Sequence, residues 1–227
     1  MTSHTQAGSF AASGAAQRWR YKAMPEKYKR IEDRMYEFFF EEMNKLVPLT
    51  ADEQEMITPY LKSKKVRKKQ YILQEGDPCT AVAFIVKGLL RQYLVDDNGN
   101  ENIIQFAAEG WFIADLYSYF TGEPSAYNID AVEDGVLIMI DKKSSDLLMD
   151  KVPAYERCTR LQITRAYIAL QKRLSSMISS STEERYLDFR RQYPQFVQRV
   201  PQHMIASYMG LTPETLSRAR KRIITKR

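Results

Sequence analysis

The sequence predicts an α+β protein: an N-terminal antiparallel β-roll with flanking helices, then one long helix, then a C-terminal winged helix-turn-helix. Three observations carry this. Between residues 62 and 140, short β-branched and aromatic runs alternate with turn signals at regular intervals. Ile163, Tyr167, Leu170, Leu174 and Met177 recur at spacings of four, three, four and three. Gln202 to Lys221, QHMIASYMGLTPETLSRARK, has the residues of two short helices joined by a tight turn.

Taken in order, the first 24 residues are rich in Ala, Ser and Gly, lack a signal-peptide core and are expected to be a flexible segment. Helical periodicity then runs from Pro25 to Val47 through Ile31, Met35, Phe38 and Phe39. Thr50 and Glu53 have capping-box spacing and open a second short helix to Tyr60. The runs VRKKQYIL, AVAFIV, LLRQYLV, ENIIQFA, YNIDAV and VLIMI follow as strands, and Asp97-Asn98-Gly99-Asn100 suits a hairpin turn. Strands this short and evenly spaced fit a sandwich or small barrel. Lys142 to Asp150 reads as a helix and closes a first domain at 25–151.

The long helix after Val152-Pro153 carries the repeating seam. Its apolar stripe is narrow, which suits a second copy of the chain better than its own core, so a homodimer is expected. Ser179-Ser180-Ser181-Thr182 interrupts the pattern as a hinge and ends this segment, 152–181. Ser181 with Glu184 then caps the opening of a last domain, 182–227, with Tyr186, Leu187 and Phe189 facing inward and Gln192 to Val200 as a connection. In the helix-turn-helix, Ala206 is small where two helices cross and Gly210 sits where the turn can need positive φ. Thr212 offers an N-cap, Pro213 suits the first helical position, and Ile205, Met209, Leu211, Leu216 and Ala219 supply a shared core.

Charge points the same way. From Arg199 to Arg227 there are seven basic residues and one acid, Glu214, while the other 198 residues hold 27 of each sign. The net charge of +6 therefore sits on the helix-turn-helix and its tail, as expected of a phosphate-binding surface. Enzyme chemistry is poorly supplied: the chain has two histidines, none between Arg20 and Pro201, and no nucleophile–base pair. No metal site is expected. Cys79 and Cys158 lack metal spacing and read as free thiols in a reducing cytoplasm. No apolar run approaches the roughly 18 residues of a membrane span, so no membrane partner is expected.

The order of elements resembles the Crp/Fnr family of transcription regulators, whose roll is a cyclic-nucleotide-binding-like jelly roll. The matching residues are Gly76-Asp77 and Val86-Lys87-Gly88 in the roll, Glu183-Glu184-Arg185-Tyr186-Leu187 at the opening of the last domain, and Leu211-Thr212-Pro213-Glu214-Thr215-Leu216-Ser217-Arg218. The resemblance implies a cytoplasmic homodimer that binds a palindromic, TTGA-like site on double-stranded DNA, works with RNA polymerase and answers to a small-molecule effector. It places base reading on Glu214, Ser217 and Arg218. The chemistry agrees, since Arg218 can donate twice to guanine and Glu214 can accept from cytosine. Phosphate contacts are expected from Gln202, His203, Thr212, Thr215 and Lys221. The alternative is a regulatory roll whose basic C-terminus binds RNA or a protein partner.

The effector place departs from the family pattern. Ala114-Asp115-Leu116 and Pro124-Ser125-Ala126 stand where cyclic-nucleotide binders of the family have Gly-Glu-Leu and Arg-Ser. Pro124 removes the arginine that pairs with the cyclic phosphate, which argues against cyclic AMP. Asp115, Ser125, Ala126 and Arg91 are the remaining pocket candidates. Two cysteines far apart argue against an iron–sulfur cluster, and haem ligation by Met, Cys79 or Cys158 stays open, so the cofactor is unnamed.

Overall fold

A computed structural model describes residues 26–225 and, in its first helix, side chains from Arg34 onward. The expected flexible segment 1–24, the Ile31 side chain, Lys226 and Arg227 lie outside the described residues. Helix α1 spans Glu26–Asn44 and α2 spans Ala51–Ile57, followed by a short 3-10 turn, Thr58–Tyr60. Thr50 and Glu53 form the capping box that opens α2, each side chain satisfying the other's backbone N–H.

Eight strands follow: β1 (Lys62–Val66), β2 (Tyr71–Leu73), β3 (Ala81–Lys87), β4 (Leu90–Val95), β5 (Glu101–Ala107), β6 (Phe112–Ile113), β7 (Asn128–Ala131) and β8 (Gly135–Asp141). They pair antiparallel into two sheets, ordered β1-β8-β3-β6 and β2-β7-β4-β5. A short helix α3 (Leu116–Thr121) sits between β6 and β7. The run VRKKQYIL is not one strand. It breaks at a turn after Val66, where Lys69 takes φ +67° and donates its N–H to Ala131 O. The Gly88–Gly135 crossing needs both glycines: a Cβ on Gly135 would lie 2.5 Å from Lys87 O, and one on Gly88 would lie 2.9 Å from the Gly135 Cα.

Helices α4 (Lys142–Lys151), α5 (Pro153–Ser179), α6 (Thr182–Gln192), α7 (Pro194–Arg199), α8 (Gln202–Tyr208) and α9 (Pro213–Thr225) complete the chain. Pro153 and Pro194 open α5 and α7 at positions where a missing N–H costs nothing. The wing expected beside the helix-turn-helix is corrected here. No strand occurs among described residues 182–225, and Pro194 with the apolar side chains of Phe196 and Val200 makes the connection a packed helical turn.

Strand alternation sorts the apolar residues into three cores. Between the sheets lie Ala83, Ile85, Leu90, Ala107, Ile129, Ala131 and Leu137. The outer face of the first sheet, through Phe84, Ile138 and Ile140, is covered by Met35, Phe39, Phe40 and Met43 of α1 and by Leu148, Tyr155 and Cys158. On the second sheet the outer residues Tyr93, Ile103 and Phe106 share one cluster with Phe189, Phe196, Ile205, Ala206 and Leu216. The ring of Phe106 lies 5.7 Å from Phe196 and 5.5 Å from Tyr208. The last domain therefore packs as a fourth layer on the outer face of the roll.

Candidate nucleic-acid interface

The helix-turn-helix is α8 and α9. Met209 donates its N–H to Ile205 O and Leu211 donates to Ala206 O, which closes α8, while Gly210 turns the chain at φ +66°. Thr212 Oγ1 accepts from the Thr215 N–H at 3.2 Å, capping α9 ahead of Pro213. Leu216 and Ala219 are buried at 1% and 2% exposure, which fixes the rotation of α9. Glu214, Ser217, Arg218 and Lys221 consequently share its open face, and Gln202 and His203 are exposed at the start of α8.

Local chemistry holds that face in order. The free N–H groups at the α9 start and the Thr212 hydroxyl, with Arg218 nearby, keep the Glu214 carboxyl below its ordinary range. Arg218 Nη2 donates to Thr215 Oγ1 at 3.3 Å. A carboxylate acceptor and a guanidinium donor, one turn apart and both open, can meet the two halves of one base pair.

Not all the C-terminal charge belongs to this face. Arg199 donates from Nε and Nη2 to Glu133 (3.1 and 2.7 Å) and from Nη1 and Nη2 to Glu109 (2.8 and 3.0 Å). Arg222 pairs with Glu183 at 3.0 Å. Arg199 thus ties the last domain to the roll, a role that a basic-residue count cannot reveal. Ser207 does the same on α8: its hydroxyl donates to Glu101 O at 2.6 Å and accepts from the Ile103 N–H at 2.9 Å.

The four expected pocket residues do not assemble as one site. Asp115 and Ser125 meet, with Ser125 Oγ donating to Asp115 Oδ2 at 2.7 Å, and both are almost fully buried. Asp115 also caps α3 by accepting from the Tyr117 N–H. Ala126 is exposed. Arg91 corrects the sequence expectation: it pairs across the sheet with Asp130, donating from Nε at 2.8 Å and Nη2 at 3.0 Å, and also bonds Glu101. Its register with Phe106 puts it on the outer face, opposite to Leu90 and the inter-sheet core. The alternation of strand residues held the signal, since Arg91 follows Leu90 directly. Burial pushes the Cys158 thiol up to about 11 and raises Cys79 as well, so both rest as thiols and not as reactive thiolates.

On the expected seam, Tyr167, Leu170, Leu174 and Met177 are 43–58% exposed, and Ile163 is half-buried. Ile178, outside the repeat, is 79% exposed beside them. A run of exposed apolar side chains along one helix calls for a cover.

Residues 63–151 match the family model described as "Cyclic nucleotide-binding domain". The chain is 24% identical over 186 residues to the fumarate and nitrate reduction regulatory protein of Vibrio cholerae, covering 76% of this chain and 74% of that protein. It is 25% identical over 186 residues to the anaerobic regulatory protein of Pasteurella multocida, covering 76% and 67%. In structure it is similar to FixK2 from Bradyrhizobium japonicum (TM-score 0.63, 19% identity, 73% of this chain and 85% of that one). It is similar also to the c-di-GMP responsive global regulator CLP of Xanthomonas campestris (TM-score 0.65, 12% identity, 78% and 93%). These structural likenesses establish the fold.

The Arg199 joint has a pH dependence. Burial alone would raise the Glu109 carboxyl, but its bonds from Arg199 and from the Gly88 N–H hold it below the ordinary 4.5. A carboxyl lowered in the folded state adds stability that is complete above its unfolded value and is lost as pH falls through the folded one. The joint should therefore be intact at neutral pH and weaken below pH 4.5. Because its groups are a quarter to a third exposed, Arg199→Ala should cost about 1 kcal/mol at pH 7. Urea titrations at pH 7 and pH 4 check this: the difference between wild type and variant should shrink at the lower pH.

Proposed function

We infer that this chain is a transcription regulator of the Crp/Fnr kind that binds double-stranded DNA as a homodimer, a reading supported by its likeness to the regulatory proteins of Vibrio cholerae and Pasteurella multocida. The observation that carries the reading is the exposed face of α9. Glu214, Ser217 and Arg218 stand open at the N-terminal half of a helix whose other side is locked into the core. A recognition helix uses this arrangement in a major groove.

Two copies joined along α5 place two such helices about 34 Å apart, so the operator is a palindrome with half-sites one turn apart. Arg218 reads a guanine and Glu214 the paired cytosine of a TTGA-like half-site, with Ser217 beside them. Gln202, His203, Thr212, Thr215 and Lys221 hold phosphates. Bound there, the protein is placed to meet RNA polymerase, and no enzymatic step is assigned to it. The described helices include none long and apolar enough to cross a membrane.

The roll is the place where an effector acts. Cyclic AMP is a poor fit, because Asp115 and Ser125 already satisfy each other and Pro124 stands where cyclic-nucleotide binders of the family have the phosphate-pairing arginine. An excess of cyclic AMP should leave the melting temperature unchanged. A rise of several degrees would refute that, since ligand at about 100 times its Kd adds nearly 3 kcal/mol.

Selection from random DNA tests the main reading and should return a palindrome. Arg218→Ala should then cost about 1–3 kcal/mol per half-site and flatten the preference at the guanine. Lys221→Ala should weaken all sequences alike and lower the salt slope by about one. Recovery of RNA or a protein partner in place of a palindrome would favour the alternative. For the seam, Leu170→Glu with Leu174→Glu should give monomers by sedimentation and greatly weakened operator binding. A double variant that still sediments as a dimer would move the interface elsewhere.

A further inference from the structure

Arg173 lies on α5 between Leu170 and Leu174 of the seam, yet its head group points into the joint between the domains. Nη1 donates to Ile104 O, and Nη2 donates to Ile103 O at 3.4 Å and Tyr208 O at 2.6 Å. The guanidinium carbon stands 3.9 Å from the centre of the Tyr208 ring. Its partners are carbonyls, not carboxylates, and the side chain is largely desolvated. Tyr208 O belongs to the last residue of α8, where helix carbonyls are free and the helix end is negative. One planar cation therefore grips β5, the end of α8 and the seam helix together. Lysine, with a point charge, could not span these acceptors in the same way.

The grip crosses the hinge. Arg173 precedes Ser179–Thr182 in sequence, and the turn it holds follows it. A Cβ on Gly210, in that turn, would lie 3.5 Å from Met177 Cε, another seam residue. From the far side, Arg185 Nη1 donates to Met209 O at 3.1 Å. A serine-rich hinge on its own would let each DNA-binding head swing about the dimer axis. These contacts hold the helix-turn-helix turn against the helix that carries the axis.

The geometry assigns Arg173 a positioning role: by fixing the α8–α9 turn to the seam helix, it sets the distance between the two recognition helices and thereby the half-site spacing the dimer accepts. The assignment rests on the reading of the chain as a dimer on a two-fold operator. One added base pair separates the half-sites by about 3.4 Å and rotates them by about 35°. A held head cannot follow that change, whereas a freed head can.

The test compares the full-length wild type with Arg173→Ala and Arg173→Lys on the selected palindrome and on versions with one base pair inserted or removed at its centre. Wild type should lose about tenfold or more in affinity on either altered spacing. The variants should bind the parent palindrome more weakly but lose no more than about threefold between spacings, with the head's base preference intact. A role in stability alone would lower affinity for all three spacings equally and would overturn the assignment. A second measurement needs no DNA: distances between spin labels at position 221 of the two subunits should be narrowly distributed in wild type and broad in both variants. Unchanged distributions in folded, dimeric variants would also overturn it. If wild type selects no palindrome at all, the functional reading fails, and that result is distinguishable because the label distances still report the grip.

Discussion

The outer edge of β5 is the place on which the second half of the molecule depends. β5 ends its sheet, so its outward N–H and C=O groups have no strand to pair with, and an open edge of this kind invites pairing with other chains. Here Ser207 satisfies Glu101 O and the Ile103 N–H, and Arg173 takes Ile103 O and Ile104 O. Each bond is worth only about 0.5–1.5 kcal/mol net, but each group left buried and unpaired would cost about 1–3 kcal/mol. The edge therefore requires α8 and α5 where they are. The placement of α9 follows, because Leu216 and Ala206 lock it to α8 in the same core.

Around that edge, electrostatics is arranged by depth. Arg91 and Asp130 are both nearly buried on the outer face of the sheet, with Arg91 stacked 4.2 Å from the Tyr93 ring. Removing one partner there would strand a buried charge at a cost of about 3–5 kcal/mol. Arg199 with Glu109 and Glu133 lies nearer to water and is correspondingly weaker and more sensitive to salt. On α9, Arg218 and Lys221 are exposed. Charge that binds the domains and charge left open to solvent are thus separated by burial.

Much of this was legible in the residues. Turn signals and alternation marked most strands, capping pairs at Thr50 and Ser181 marked helix starts, and Gly210, Thr212 and Pro213 marked the α8–α9 turn. The exposed positions of Glu214, Ser217 and Arg218 on α9 followed from the buried spacing of Leu216 and Ala219. The docking of the last domain was not legible, because it depends on pairs far apart in sequence, such as Ser207 with Ile103 and Arg199 with Glu109. Nothing local distinguishes Arg173 from a solvated arginine beside an apolar seam. Arg91 shows the converse: it was counted among the pocket candidates, and strand parity sent it to the other face. The expected wing has no counterpart, since no strand forms among described residues 182–225.

The shared core also shapes how the chain is made. Ile103 and Ser207 are 104 residues apart, and at about 5–20 residues per second a ribosome needs on the order of 5–20 s to supply the second after the first. A nascent roll can close its inner core within that interval, but Tyr93, Ile103 and Phe106 stay uncovered until α6 to α9 emerge. Contacts at such separation slow the final docking step. Newborn chains pass through a stage in which an unpaired strand edge and an aromatic surface lie open together, and that stage is where a chaperone or a second nascent chain would capture them.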